Sequence, residues 1–356
     1  MYDSAVLIGR FQPVHSGHLA LLQHALGQAR QVLVIAGSAH QARTPRNPFT
    51  WQERAAMLQQ SVSAAEAARI QVLPLRDYYD APRWAAALRA AVASVTGDTG
   101  GAGPGARIAL VGHFKDASSD YLGGFPDWEL ISLPRQDAMD ATPIRDAWLG
   151  LAQATPAAAL DAALDAALAP LAAGIPAATR AQLHALLQHP AYARLQQEWQ
   201  ILRDYRASWA GAPYPPVFVT VDALVRAQDQ VLLIRRAQAP GQGLLALPGG
   251  FIDAQETLWQ SCLRELAEET HWPLDAAQMR AALRGVALFD HPGRSQRGRV
   301  ISQVHYFELG GAPVPVQGGD DASSAQWLPI SQLAALQEQF HDDHFHILDH
   351  FLGLQA

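Results

Sequence analysis

The sequence predicts an α/β chain of two domains: a doubly wound parallel sheet, then a mixed α+β unit. Three observations predict it. Short apolar runs alternate with helical patterns through residue 112, the rhythm of a parallel sheet covered by helices on both faces. A Pro/Gly cluster, GAPYPP at 211–216, then punctuates the chain. Beyond it the pattern changes to two adjacent strands, a long helix, and strands again. The length, 356 residues, is too great for one ordinary core and suits two.

Each element follows from its residues. AVLIG (5–9), QVLVIAG (31–37), IQVLPL (70–75) and RIALVG (107–112) read as buried strands, with helices at 16–30, 51–64 and 82–95 between them. GDTGGAGPGA (97–106) reads as a flexible loop. The alanine-rich stretch 153–185 carries leucines three and four apart, an amphipathic helix broken at Pro170, and a further helix spans 179–204. The first domain is therefore set at 1–205, with 150–205 its helical C-terminal part, a linker at 206–216, and the second domain at 217–356. In the latter, VFVTVDALVRA (217–227) and QVLLIRRA (230–237) are strands joined by a turn at Gln228–Asp229. A helix lies near 256–270, strands at 284–289, 299–308 and 324–328, and a helical end begins near Ile330.

Composition narrows the function. Hydrophobic residues make up 49%, so a sizeable core can form. Net charge is -7 and the pI is near 6.0, which weighs against nucleic acid as a partner. Local arginine clusters can still bind phosphate. Cys262 is the sole cysteine, so no internal disulfide can form, which fits a reducing compartment. The first residues show no signal peptide and the chain no apparent membrane span, so a soluble cytoplasmic protein with no membrane partner is expected. The oligomeric state is open, a homo-oligomer included.

The most informative stretch is GRFQPVHSGHLALL (9–22). It leaves the first strand and enters a helix. In an open α/β sheet, ligands sit beyond the carboxyl ends of the strands, and a helix N-terminus there offers free N–H groups to phosphate. His15 and His18 are three apart, on one helical face. Gly9 and Gly17 would let backbone approach a ligand closely. Ordinary capping histidines are the alternative reading.

GRFQPVHSGH resembles the (H/T)xGH signature of the nucleotidyltransferase superfamily, in the form found in nicotinamide mononucleotide adenylyltransferases. TPRNPFTWQER (44–54) is similar to the loop and helix start that follow the family's second strand. GHFKDASSDYLGGFPDW (112–128) resembles the variant fused to a hydrolase. DATPIRD (140–146) resembles the family's ISxTxxR motif, with Asp140 where serine is usual. Thr142 can cap a helix there, with Pro143 at its first position. The resemblance covers the first half of the chain and implies a Rossmann-like nucleotidyltransferase domain. It implies that Arg10, His15, His18, Arg46 and Arg145 hold a triphosphate and the transition state, sharing the load with Mg²⁺. Gly9, Phe11, Lys115, Asp116 and Thr142 would lie about the nucleotide. Asp77 and Trp84 fall where the family recognises nicotinamide mononucleotide; a core aromatic is the other reading of Trp84.

The second half has its own signature. In LPGGFIDAQETLWQSCLRELAEETHW (247–272), Gly250, Glu256, Arg264, Glu265, Glu268 and Glu269 fit G-x5-E-x7-R-E-U-x-E-E-x-G-U, where U is a bulky aliphatic residue. That pattern resembles the Nudix box, whose chemistry is cleavage of a nucleoside diphosphate linked to another group. Glu265, Glu268 and Glu269 can present oxygens along one helical edge, a site for Mg²⁺ or Mn²⁺, with Gly250 beside them and Glu268 as a catalytic carboxylate. Arg264 and Glu256 brace the box. His271 stands at the helix end where glycine is usual, a position that calls for left-handed backbone. DHPGRSQRGRVIS (290–302) sets Arg294, Arg297 and Arg299 close together and resembles a segment of Nudix domains that favour ADP-ribose. Asp320 and Asp321 read as a turn, with a general base as the alternative.

Together the resemblances imply a bifunctional enzyme. One domain joins ATP and nicotinamide mononucleotide into NAD and pyrophosphate. The other, a Nudix domain, hydrolyses ADP-ribose to AMP and ribose 5-phosphate. Mg²⁺ or Mn²⁺ is expected in both. The alternatives are an adenylyltransferase for nicotinate mononucleotide or phosphopantetheine, with a Nudix hydrolase of different substrate, and a nucleotide-sensing Nudix regulator.

Overall fold

The computed structural model describes residues 1–97, 106–112, 124–134 and 139–354. The chain divides into two compact units, Met1–Gln196 and Gln197–Ala356.

The first unit is built on five parallel strands. They are β1 (Tyr2–Gly9), β2 (Ala29–Ala36), β3 (Ile70–Pro74), β4 (Ile108–Gly112) and β5 (Glu129–Ser132), in the order β3-β2-β1-β4-β5. The order reverses between β1 and β4, which opens a crevice beyond their carboxyl ends. Helices α1 (Ser16–Gln28), α2 (Trp51–Gln59), α3 (Ala64–Ala67) and α4 (Ala81–Thr96) connect the first four strands. Val6, Leu33, Ile35 and Leu110 of the strands are buried against Leu88 and Val92 of α4, which is why the central strands read as unbroken apolar runs. The four expected strands are present. β5 has no such run: ELIS is an edge strand with Glu129, Leu130 and Ser132 exposed. α2 stops short of residue 64 because Ser63 caps a new helix, its Oγ accepting from the Glu66 N–H at 3.3 Å.

A helical tail follows: α5 (Ala141–Leu149), α6 (Leu160–Leu168), α7 (Ala177–Leu187) and α8 (Ala191–Ser208), the last containing the division between the units. α5 begins earlier than expected. Asp140 is its N-cap and Thr142 lies inside its first turn, where the hydroxyl accepts from Arg145 Nη2 at 2.9 Å and so does not cap. The 179–204 stretch is two helices, because Pro190 has no N–H and His189 Nδ1 accepts from the Ala191 N–H at 3.0 Å. Residues 157–174, mean hydropathy 1.3, are apolar enough by length and composition to count as a candidate membrane span. Pro170 divides them into α6 and a tighter helical run at Ala169–Gly174. Nine residues of α6 rise about 14 Å, far short of a hydrocarbon core of roughly 30 Å. Leu164 and Leu168 are fully buried in the first unit.

The second unit has a mixed sheet in the order β10-β11-β6-β7-β12. Its strands are β6 (Val217–Ala227), β7 (Gln230–Arg236), β8 (Leu245–Ala246), β9 (Gly249–Phe251), β10 (Leu283–Phe289), β11 (Arg299–Leu309) and β12 (Ala322–Pro329). β6 and β11 pair in parallel along their whole length. The expected turn after β6 is present, with Gln228 in left-handed backbone at φ 55°. The short β8 and β9, and helix α10 (Ala276–Ala282), were not expected from the pattern. Helix α9 (Leu258–Thr270) buries Cys262 and Leu266 against Val221, Ala223 and Phe307. Thr257 and Gln260 form a reciprocal cap at its start. At its end His271 takes the left-handed conformation, φ 50°, that the missing glycine would have taken. The helical end is a tight run at Ile330–Gln339 followed by α11 (His344–Leu352).

Candidate active sites in the two units

In the first unit the loop from β1 to α1 lies at the switch point. Phe11 bends the chain there, with φ 53° and its ring buried. A Cβ on Gly9 would come within 2.8 Å of that ring, so the space at Gly9 is taken by Phe11 and is not an open surface for a ligand. The ring meets His18 edge-on at 4.8 Å, and the His15 and His18 rings lie 3.8 Å apart. The backbone N–H of His15, the N-cap of α1, donates to His18 Nδ1 at 3.3 Å. A neutral His18 therefore carries its proton on Nε2, as a donor. The loop is tied from behind: Thr179 of α7 donates to the Val14 carbonyl at 2.9 Å, and Gln12 exchanges hydrogen bonds with the backbone of Phe49.

Three arginines converge on this loop. Arg145, on the first turns of α5, donates to the Gln12 carbonyl at 2.5 Å. Its pKa is pulled down to about 10, first by burial and then by the charge of Arg10, with Arg46 adding to the effect. Arg10 is lowered by desolvation and by Arg46, with Asp77 acting the other way. Three mutually repelling guanidinium groups at the carboxyl end of β1 make a site that an anion relieves. Asp77 accepts from Gln41 Nε2 at 2.5 Å, and Gln41 accepts in turn from Asn47 at 3.3 Å. Trp84 packs against the core beneath α4, edge-on to Phe125 at 6.2 Å. Lys115 and Asp116 lie outside the described residues.

Sequence reasoning missed Arg54. It is 1% exposed, on α2, and donates to the carbonyls of Arg10 and Gly37 at 2.6 Å each and of Thr50 at 3.2 Å. It clamps the ends of β1 and β2 to the start of α2. Burial brings its pKa down to about 10. An arginine on an amphipathic helix reads as surface, and only the buried carbonyls facing it show otherwise.

In the second unit the signature residues assemble on α9 and β9. Arg264 donates to Glu256 at 2.9 Å, to Glu265 at 2.9 Å, to Glu268 at 3.0 Å and to the Phe251 carbonyl at 3.2 Å, the bracing role expected of it. Gly250 is needed for space: a Cβ there would lie 2.6 Å from Glu265 Oε2. Glu269 is 2% exposed and accepts from the Gly249 N–H at 2.8 Å. Burial, with the charge of Glu265, pushes its pKa up to about 8. Glu265 is raised by burial, and Glu268 and Asp320 add to the effect. Such crowded carboxylate oxygens suit a hard divalent cation, which would relieve their repulsion. Among the described residues no three His, Cys, Asp or Glu side chains are already gathered as a ligand set. Arg264 occupies the gap between Glu265 and Glu268 and would have to yield it.

The arginine loop is spread over three tasks. Arg294 is buried in a bidentate pair with Asp343, 2.8 and 2.9 Å. The Arg297 guanidinium lies 5.0 Å over the Phe251 ring. Arg299 donates to the Asp290 carbonyl. Asp320 and Asp321 form a turn, with Asp320 at φ 48°. Arg236, at the end of β7, was also missed; its charge acts on Glu269 and Arg297 acts on it.

Known proteins match both halves of the chain. Residues 6–90 match the cytidylyltransferase-like family model and 216–351 the NUDIX domain model. A nicotinamide/nicotinic acid mononucleotide adenylyltransferase of Acinetobacter baylyi is 38% identical over 148 residues, 41% of this chain and 76% of the relative. An ADP-ribose pyrophosphatase of Methanocaldococcus jannaschii is 35% identical over 118 residues, 33% of this chain and 65% of the relative. A bifunctional NMN adenylyltransferase/ADP-ribose pyrophosphatase from Francisella tularensis is 32% identical, with a TM-score of 0.88 and 99% of each chain covered. A second structure of that bifunctional protein, complexed with AMP and a manganese ion, gives 31% and 0.85. Two motif-bearing units aligned end to end with one two-function relative place this chain in the family of bifunctional NMN adenylyltransferases/ADP-ribose pyrophosphatases.

Proposed function

We propose that this chain is a bifunctional enzyme of NAD metabolism, with its domains at 1–205 and 217–356 joined by 206–216. The first transfers AMP from ATP to nicotinamide mononucleotide, giving NAD and pyrophosphate. The second hydrolyses ADP-ribose to AMP and ribose 5-phosphate. The observation that carries the first activity is the convergence of Arg10, Arg46 and Arg145 on the loop that holds His15 and His18.

In the first reaction a phosphate oxygen of the mononucleotide attacks the α-phosphorus of ATP, and the bond to the departing pyrophosphate breaks. The chain supplies position and charge. Arg10, Arg46 and Arg145 neutralise the triphosphate. His18 offers Nε2–H, and His15 stacks beside it. Phe11 fills the space at Gly9 beneath the histidines, Thr142 holds Arg145, and Asp77 and Trp84 receive the mononucleotide.

In the second reaction Glu265, Glu268 and Glu269, with Gly250 beside them, would hold a divalent cation, Mg²⁺ or Mn²⁺, which supplies charge neutralisation at the diphosphate. In the first site a divalent cation carried by ATP would share the charge that Arg10, Arg46 and Arg145 neutralise. Glu268, the exposed member of the acidic edge, is assigned as the catalytic carboxylate. Arg297 and Arg299 face the substrate, and Arg294 holds their loop through Asp343. A cytoplasmic location is in keeping with a lone, buried, unpaired Cys262.

Product analysis tests the reading. The purified chain is incubated with Mg²⁺, ATP and nicotinamide mononucleotide, with nicotinate mononucleotide and phosphopantetheine in parallel, and separately with ADP-ribose. NAD with pyrophosphate, and AMP with ribose 5-phosphate, are the expected products. The name of the Acinetobacter relative favours nicotinate mononucleotide as a second acceptor. No NAD from folded protein would overturn the first assignment, and intact ADP-ribose the second.

A further inference from the structure

The sheet of the second unit has two edges, and they are treated differently. β12, at one edge, exposes only Ser323 of its eight residues, begins with a register shift and ends in Pro329. Those are the devices by which an edge strand is kept from pairing with another chain. β10, at the other edge, has β11 as its only strand partner among the described residues. It carries no proline and no lysine, and from Gly285 to Phe289 its register is unbroken. Val286 is 49% exposed and Leu288 60%. An open, regular edge bearing two large apolar side chains is a template for another strand.

The residues of β10 say which strand. Its exposed positions alternate: Arg284, Val286, Leu288 and then Asp290 just beyond its end. In an antiparallel pair, residues directly opposite each other share a face and touch. A two-fold axis through Ala287 would set Val286 of one copy against Leu288 of the other, twice. It would also set Arg284 against Asp290, twice. On the other face Phe289 falls opposite Gly285, where no side chain competes. Moving the axis to Val286 or to Leu288 breaks this match, placing Arg284 against Leu288 or Asp290 against Val286. Arg284 and Asp290 have neighbours in their own copy, Glu308 at 3.7 Å and Arg299 at 4.0 Å, but these are long, exposed contacts that leave both charges able to take a second partner.

We propose that β10 is the interface of a symmetric dimer, pairing antiparallel with β10 of a second copy of this chain about a two-fold axis at Ala287. The pairing ends at Asp290, whose carbonyl accepts from Arg299, so the interface anchors the start of the arginine loop in each copy.

Sedimentation velocity of the full chain over a concentration series reads the assembly, and a dimer is expected. Leu288→Lys and Val286→Lys, both at exposed positions, should each raise the dissociation constant about tenfold or more, with far-ultraviolet circular dichroism unchanged. Arg284→Asp should weaken the dimer, and Arg284→Asp with Asp290→Arg should recover it. Disulfide crosslinking reads the register. Cys262 is buried, so the introduced thiols are the reactive ones. Val286→Cys and Leu288→Cys chains, mixed in reductant and then oxidised, should link to each other and neither to itself. Opposite positions meet across the axis, whereas like positions lie beyond the Cα separation of about 7 Å that a disulfide spans. A wild type that stays monomeric, a dimer indifferent to both lysines, or either cysteine variant linking to itself would overturn the proposal.

Discussion

Replacing Gly250 with alanine should cripple the second activity while leaving the fold in place. The new methyl would sit 2.6 Å from Glu265 Oε2 and 2.7 Å from its Cδ, where ordinary contact begins at 3.4 Å. The carboxylate must therefore withdraw by about 0.8 Å. Glu265 can move, being a flexible side chain, but it moves away from Arg264 and from the edge it shares with Glu268 and Glu269. A displacement of about 1 Å costs on the order of 10²-fold when geometry sets the rate. The backbone at 250 is not in the left-handed region, so alanine brings no φ strain. Alanine's smaller unfolded-state entropy offsets some of the local shift, about 0.4–1 kcal/mol. ADP-ribose hydrolysis should thus fall about 100-fold, with the melting temperature within a few degrees of wild type and NAD synthesis unchanged. Near-normal hydrolysis in a folded Gly250→Ala protein would refute the claim that Glu265 must sit where it does. A large fall in melting temperature would instead show that the glycine serves the fold.

Three further outcomes are expected. Arg54→Met removes the donor from the carbonyls of Arg10, Gly37 and Thr50. At roughly 1–3 kcal/mol for each buried group left unsatisfied, chemical denaturation should show a loss of about 3 kcal/mol or more, and NAD synthesis should fall with ADP-ribose hydrolysis retained. Arg294→Met strands Asp343 as a buried charge and should cost about 3–5 kcal/mol by urea unfolding, whereas Arg294→Met with Asp343→Leu should recover part of that. His184 is gripped by Asp161 at 2.6 Å and Asp165 at 3.1 Å; burial pulls its pKa down, and the two aspartates outweigh it, leaving it above 6.5. A raised folded pKa contributes stability fully below the unfolded value of about 6.5, lost as pH rises through the folded value. The melting-temperature gap between wild type and His184→Gln should be widest near pH 5.5 and close above it, and a gap that widens with pH would reverse that sign.

Much of the fold was legible because its signals are local. Buried parallel strands announce themselves as unbroken apolar runs, so β1 to β4 were found, while β5, with only one of its four residues shielded from solvent, was not. Strands of two or three residues such as β8 and β9 hold no period to read. The signature on α9 was legible because its spacing is helical, and Arg264 proved to brace the carboxylates. What escaped was long-range pairing. The partner of Arg294 lies on the far side of three elements, at Asp343, and nothing near either residue names the other. Arg54 escaped for the same reason: its acceptors are backbone carbonyls from two separate loops.

The parallel pairing of β6 with β11 bears on when the second site can first exist. Val217 is registered on Arg299 and Ala227 on Leu309, about eighty residues apart in the chain, a long-range closure of the kind that slows folding. Everything that bears the acidic edge, from β7 through α9, is strung inside that closure. As the ribosome delivers the chain, the glutamates emerge well before the strand that seats the central sheet. During that interval Val221, Ala223 and Cys262 lack the buried Phe307 that completes their core. A nascent chain halted before Arg299 would carry the whole signature with no completed sheet beneath it, exposed to proteases and to other chains.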